Sequence, residues 1–338
     1  MEFNKPHPFD ELIRQFISEM EPSKLGFNDP LIIKDIKFLG IGTGNLNILV
    51  NVNHKKFIFR YSINRFRRKL FFYEYSFLFA LNGQEFIPKI RYCEPDSKNI
   101  FGIPFMILDY IEGKCLSEID YKINKNLISK LAIELSKIHS LDSSKLSVRE
   151  ESIFIRINRR LKFFRKRLSI KNYNAIKNLY TQILKLSGTP NTVKTIIHAN
   201  IWEGNIIQTN QGIKIIDYET VCFDDPAVEI AHIFHDFKTG YFFTNEEKDI
   251  FINTYQKYRK DKTLKKRINS LFFLDVFDSF LRVIEYSLIS NEEKSNKFIQ
   301  SGMDKNSGME ILKIYFRNLK KLEIINKNCK LCDFYSPV

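Results

Sequence analysis

Two segments in the middle of the chain constrain it most: Ile197-His198-Ala199-Asn200-Ile201-Trp202-Glu203-Gly204-Asn205-Ile206-Ile207 and, shortly after, Ile215-Ile216-Asp217-Tyr218-Glu219. Each sets polar side chains at the end of a short isoleucine run, the pattern of buried strands whose ends carry chemistry. Asn205 and Asp217 are oxygen donors of the kind a hard cation such as Mg2+ takes. Phosphoryl transfer from a nucleotide uses such a pair on the metal, together with a carboxylate facing the acceptor hydroxyl. Five residues before Asn205 stands a second carboxamide, Asn200, and no Asp or Glu lies between them except Glu203. A carboxamide can accept a hydrogen bond from a hydroxyl but cannot take its proton.

Upstream, Gly40-Ile41-Gly42-Thr43-Gly44-Asn45 lies between Lys37-Phe38-Leu39 and Leu46-Asn47-Ile48-Leu49-Val50. Alternate glycines let a backbone fold closely over phosphate oxygens and offer N–H groups to them. A dinucleotide-binding turn would lead into a helix, whereas this one leads into a strand. Tight hairpins use glycine too. The downstream loop favours a nucleotide-covering role for Gly40, Gly42, Gly44 and Asn45.

The chain resembles the aminoglycoside phosphotransferase and choline kinase family. His198, Asn200 and Asn205 stand at the spacing of that family's His-x-Asp-x-x-x-x-Asn loop, with Asn200 in the catalytic Asp position. Ile216-Asp217-Tyr218-Glu219 is similar to its Ile-Asp-aromatic-Glu turn. Asp225-Pro226-Ala227-Val228-Glu229-Ile230-Ala231 is similar to its Asp-Pro-x-x-Asp-hydrophobic-Ala helix start, with Glu229 for the second Asp. The resemblance covers most of 36–237. It implies an α+β, protein-kinase-like two-lobed fold: a small N-lobe over 1–110 built on a mixed sheet, and a larger, mainly helical C-lobe over 111–338. It also implies ATP, or GTP, with Mg2+, and a small hydroxyl-bearing acceptor, an amine such as choline or an aminoglycoside.

Further roles follow from the same resemblance. Arg60, in the strand Phe57–Tyr61, is the candidate for pairing with nucleotide phosphates, and Glu74, on a helix expected over Arg65–Leu81, is its partner. The backbone of Asp109 to Ile111, where the chain crosses between lobes, should line the adenine pocket. His198 should orient the catalytic loop and not act as a base, and His139 should be packed. Glu203 also stands in choline kinases that keep the usual Asp, so it is a poor substitute base.

The acceptor should meet the helical region. Asp275, Asp278 and Glu285 share one face of the apolar stretch Leu271–Tyr286. Buried acids need partners or a cationic ligand: Arg282 is the internal candidate, and an amine is the external one. Trp202 and Tyr286 could offer cation–π contact. Glu219 either buttresses the metal turn or approaches the metal, and it is also a candidate on this acceptor side.

At 338 residues the length suits two lobes around a cleft. The net charge of +14 invites a polyanion. Arg156, Arg159, Arg160, Lys162, Arg165, Lys166 and Arg167 crowd one helix expected over about 150–169, more in keeping with a solvated face than a nucleic-acid surface. No apolar run is long enough for a membrane span, no signal-peptide core opens the chain, and five scattered cysteines suit the cytoplasm. Cys329-Lys330-Leu331-Cys332 lacks a second ligand pair for zinc. The alternatives to a small-molecule kinase are a nucleotide-binding pseudokinase and a kinase of RNA or another polyanion. The oligomeric state is not written in the sequence.

Overall fold

The structure, a computed structural model, describes residues 9–42, 44–188, 192–238 and 241–288. Cys329, Cys332 and the side chain of Tyr286 lie outside the described residues.

The N-terminal part is built on one five-stranded sheet. Its strands β1 (Ile33–Ile41), β2 (Asn45–Val52), β3 (Lys55–Ser62), β4 (Ile90–Glu94) and β5 (Phe105–Asp109) lie in the order β1-β2-β3-β5-β4. A mixed sheet is expected from the sequence, but every pairing is antiparallel. The connections explain the difference. A two-residue turn joins β2 to β3, with Asn53 at φ 53°, as such hairpins need. The only helical crossover, from β3 to β4, places β4 beyond β5, so β3 and β4 never become neighbours.

Helix α1 (Asp10–Glu19) buries Ile13 and Ile17 on one face of this sheet, where Phe16 stands edge-on to Phe105 at 5.2 Å. Helix α2 (Arg68–Ala80) buries Phe71, Glu74, Phe77 and Leu78. It starts three residues later than Arg65, because Asn64 holds the preceding turn: its side chain accepts from Phe66 N–H and its carbonyl from Arg67 N–H.

The C-terminal part is helical: α3 (Lys125–His139), α4 (Ile153–Arg165), α5 (Ile170–Ser187), α6 (Pro226–Asp236), α7 (Asn245–Tyr258) and α8 (Leu264–Leu288). Their starts are legible as caps. The side chains of Asn124, Ser152, Ser169 and Asp225 each accept a first-turn N–H, and Pro226 takes the first position of α6. Helix α4 begins at Ile153 and not near 150, because Arg149–Glu150 (β7) pairs in parallel with β11 (Cys222–Asp224), which also pairs with β8 (Thr195–Ile197). A second small sheet joins β6 (Lys114–Cys115), β9 (Ile206–Thr209) and β10 (Gly212–Ile215). The catalytic-type loop leaves β8, and the metal-type turn leaves β10. No described helix is long and apolar enough to cross a membrane.

Helix α4 departs from a simple solvated face. Arg156 and Arg160 turn inward to acids of α8, while Lys162, Arg165 and Lys166 stay exposed.

Candidate active site

The cleft between the lobes is closed by charged side chains that reach across it. Arg60 on β3 donates from Nε to Glu74 Oε2 at 2.9 Å and from its terminal nitrogen to Asp217. Glu74 Oε1 in turn accepts the backbone N–H of Tyr218 at 3.1 Å, so one α2 carboxylate positions both the arginine and the turn carrying Asp217. Asn45, at the end of the glycine loop, donates to Glu219 Oε2 at 2.9 Å, and Arg67 pairs with the other Glu219 oxygen at 2.5 Å. Glu219 therefore sits on the glycine-loop side of the cleft, away from α8.

The glycine loop owes its path to conformation and close approach. Gly40 has φ +153° at an irregularity in the β1–β2 register, a backbone state that side chains rarely adopt. Gly42 N–H donates to Asn45 O at 2.8 Å, and Gly44 O accepts from Ile63 and Asn64, tying the loop root to the end of β3.

Below the cleft, the loop after β8 is fixed from within. Glu229 on α6 accepts the backbone N–H groups of His198 (3.2 Å) and Ala199 (2.5 Å), and a ring N–H of His139 at 2.8 Å. Ala199 has φ +63° and Asp217 φ +70°, both left-handed without being glycine. Such residues cost on the order of 1–3 kcal/mol each and persist where surrounding bonds over-determine them. His198 is fully buried, and its Nε2 donates to the carbonyl of Ile216, the residue before Asp217. Its Nδ1 is buried without a hydrogen-bond partner, and burial lowers its pKa. It is thus a neutral strut between loop and turn. His139 is packed between Glu229 and Tyr255.

Asn205 donates from Nδ2 to Asn200 O at 2.9 Å, which leaves the amide oxygen as the atom it could offer a cation, and its backbone carbonyl accepts Ile216 N–H. Asp217, Glu219 and Glu74 converge on Arg60 with Arg67 beside them: three carboxylates against two guanidinium groups. Burial, then the neighbouring acids, raise the pKa of Glu219. Burial pushes Glu74 up as well, and the same acids hold Arg60 charged. A divalent cation at Asp217 would relieve this surplus of negative charge, so the residues present fit Mg2+.

The crossing between lobes starts at Asp109. Its N–H donates to Lys89 O, Tyr110 N–H donates to Lys56 O, and the Asp109 carboxylate takes both arms of Arg91. Gly113 is required by proximity: a Cβ there would stand 2.3 Å from the carbonyl of Gln208 on β9. Asp109 and Ile111 are both partly exposed along this crossing.

Farther along the loop after β8, Trp202 is 45% exposed with its ring against Gly204, where a Cβ would meet it at 2.2 Å. Glu203 accepts from Tyr121 OH at 2.7 Å. The acids of α8 are engaged, though not by Arg282, which pairs with Asp236. Asp278 meets Arg156 at 3.0 Å and also Arg160; Glu285 meets Arg160 at 3.0 Å; Asp275 meets His232 and His235. Arg67, Tyr121 and the loop-holding role of Glu229 are not read from the sequence. In the sequence Arg67 is one charge in the run Arg65-Phe66-Arg67-Arg68-Lys69, and no motif marks Tyr121.

Comparison with known proteins agrees with this geometry. The phosphotransferase enzyme family matches residues 35–264. Among solved structures, an ethanolamine kinase of Plasmodium vivax superposes with a TM-score of 0.61 at 17% identity, covering 96% of this chain and 99% of that one. Choline kinase LicA of Streptococcus pneumoniae gives 0.59 at 18%, over 93% and 99%. APH(2")-IIia in complex with GDP and kanamycin gives 0.62 at 15%, over 91% and 99%. Likeness at these identities establishes the kinase-like fold. No curated protein matches the sequence.

Proposed function

The chain belongs to the phosphotransferase enzyme family, and from that premise we propose that it transfers the γ-phosphoryl group of ATP or GTP to a hydroxyl of a small, amine-bearing molecule. The observation that carries the reading is the cross-cleft set in which Glu74 holds both Arg60 and the turn of Asp217. Asp217 and the amide oxygen of Asn205 would hold Mg2+, which supplies charge neutralisation on the phosphate oxygens. Arg60 would turn from Asp217 to the phosphates without leaving Glu74. The glycine loop would cover them, and the backbone from Asp109 to Ile111 would meet the base through groups other than the Asp109 and Tyr110 N–H, which the sheet already uses.

Asn200 would orient the acceptor hydroxyl. Loss of a general base typically costs on the order of 10²–10⁴ in rate, but phosphoryl transfer depends largely on positioning and electrostatics. An amine fits the acceptor side because Trp202 offers an exposed aromatic face and Glu203 a carboxylate already oriented by Tyr121. Asp278 and Glu285 are less suited, since arginines already neutralise them. A reducing, cytoplasmic setting fits the free thiols of Cys93, Cys115 and Cys222.

Two other readings each rest on one observation. Asn200 favours a nucleotide-binding protein that does not turn over. The stretch 152–202 holds eleven Lys and Arg and no Asp or Glu, and four of these cations at the α4–α5 corner, Lys162, Arg165, Lys166 and Lys171, are exposed; this favours a polyanionic acceptor. The test is labelled-phosphate transfer from ATP and GTP to choline, ethanolamine, aminoglycosides and bulk tRNA. Transfer to a small amine is the expected result. Transfer to tRNA alone, weakening steeply with salt, would replace the reading, and nucleotide binding without any transfer would leave the pseudokinase.

A further inference from the structure

Helix α6 presents His232 and His235, three residues apart and so on one face, toward Asp275 on α8. Asp275 Oδ2 lies 3.0 Å from His232 Nδ1 and 2.8 Å from His235 Nε2. His235 and Asp275 are buried, while His232 retains a partial opening to solvent. No other trio of this kind occurs among the described residues. The sequence offers Asp275 as an acceptor-side acid, but here it faces two histidines, and the nucleotide site uses none of the three.

We propose that His232, His235 and Asp275 form a second metal site, for a divalent ion of the zinc class, that ties α6 to α8. The donor set carries the argument. Two imidazole nitrogens and one carboxylate oxygen suit zinc-class ions, whereas Mg2+ takes oxygen ligands, so this trio selects against the ion expected at Asp217. Three protein ligands leave a fourth tetrahedral position for water, on the side where His232 opens to solvent. Asp236 Oδ2 stands 3.7 Å from the far ring nitrogen of His232 and is itself held by Arg282 at 2.9 Å. A carboxylate behind a ligand histidine is the usual device that fixes its tautomer and orientation. Coordination through Nδ1 moves the His232 proton to Nε2, and a closing of the 3.7 Å gap by about 0.5 Å would let Asp236 accept it. The competing cation is Arg156, 3.9 Å from Asp275 Oδ1. It is already satisfied by Asp224 at 3.1 Å and Asp278 at 3.0 Å and lies toward the other oxygen, so only the two histidines meet Oδ2, and an ion would take the place of the protons they share with it.

Position gives the site a consequence. Glu229, which fixes His198 and Ala199, sits on α6 just before His232. An ion bracing that helix against α8 therefore stiffens the support of the catalytic-type loop.

The test uses the full chain carrying Cys329→Ser and Cys332→Ser, stripped with a chelator and titrated with Zn2+, Co2+ and Mg2+ by calorimetry. One Zn2+ per chain is expected, with a Co2+ absorption spectrum of a nitrogen- and oxygen-ligated ion. His232→Ala, the least buried ligand, should abolish stoichiometric binding. Asp236→Asn should weaken it about 10–100-fold, which covers the case in which the ligand variant fails to fold. Both should keep their Mg2+-nucleotide thermal shift, so failure here is distinct from failure of the phosphotransferase reading. No stoichiometric Zn2+ binding, or binding unchanged in a folded His232→Ala protein, would overturn the proposal.

Discussion

The side chain of Asn205 donates to the backbone carbonyl of Asn200 at 2.9 Å. The residue proposed for the base position thus has its backbone fixed by the residue proposed for the metal, whatever its own side chain is. Chemistry at residue 200 can then change without moving the loop.

Asn200→Asp should raise phosphoryl transfer by about 10²–10⁴ once an acceptor is supplied, the usual worth of a general base. Nucleotide affinity should stay within a few-fold, because the loop and Asp217 do not move. Single-turnover transfer and nucleotide titration on both forms measure the two quantities. Equal rates would show that no base is needed at this position.

Glu229 is expected to matter more than a packed carboxylate would. It accepts from two backbone N–H groups and from His139, and it is fully buried. Glu229→Ala strands these donors, each at about 1–3 kcal/mol, and releases Ala199 from its left-handed conformation. Chemical denaturation should show a loss of several kcal/mol. Glu229→Gln keeps an acceptor and should lose less. Equal losses would mean that packing, not acceptance of the loop, is the role of Glu229.

The parts of this architecture that could be read in advance are those written at short range. The Asp225-Pro226 helix start, the glycine-loop hairpin and the Asp217 turn each sit inside a few residues of chain, whereas the cap at Ser152, just as local, moves the start of α4 past the expected 150. The Arg60–Glu74 pair could be placed because strand and helix follow one another. Partners across the lobes could not. The acids of α8 share a face by helical period alone, but periodicity does not say which helix meets that face. It is α4, more than 100 residues upstream, that supplies Arg156 and Arg160, while Arg282 points to Asp236. The same limit hid Arg67 against Glu219, and His232 and His235 against Asp275.

The buried His198 makes a signed prediction about pH. Burial lowers its pKa below 6.5 in the folded protein. On acidification the unfolded chain takes up this proton first, so stability is retained above about pH 6.5 and lost as pH falls below it. Thermal unfolding of the native protein and of His198→Asn, compared from about pH 7.5 to 5.5, should show the steeper decline in the native protein. Parallel curves would mean that His198 protonates in place.

The last prediction separates Asp217 from Glu74, which meet the same arginine. Without nucleotide, Asp217 balances Arg60 but also adds to the crowd of carboxylates formed with Glu74 and Glu219. Asp217→Ala removes one acid from a surplus, and its cost to the free protein should be small. Glu74→Ala instead takes away the fixed partner of Arg60 and the acceptor of Tyr218 N–H, leaving buried groups unpaired at about 1–3 kcal/mol each or more. Mg2+-ATP should reverse this order of severity. Ligand at 100 times its Kd stabilises the native state by about 2.7 kcal/mol. Asp217→Ala should lose the Mg2+-dependent part of that gain, leaving the same melting temperature with ATP alone and with Mg2+-ATP. A Mg2+-dependent shift surviving in Asp217→Ala would remove Asp217 from the metal site, and a Glu74→Ala protein as stable as the native one would remove Glu74 as the organiser of the cleft.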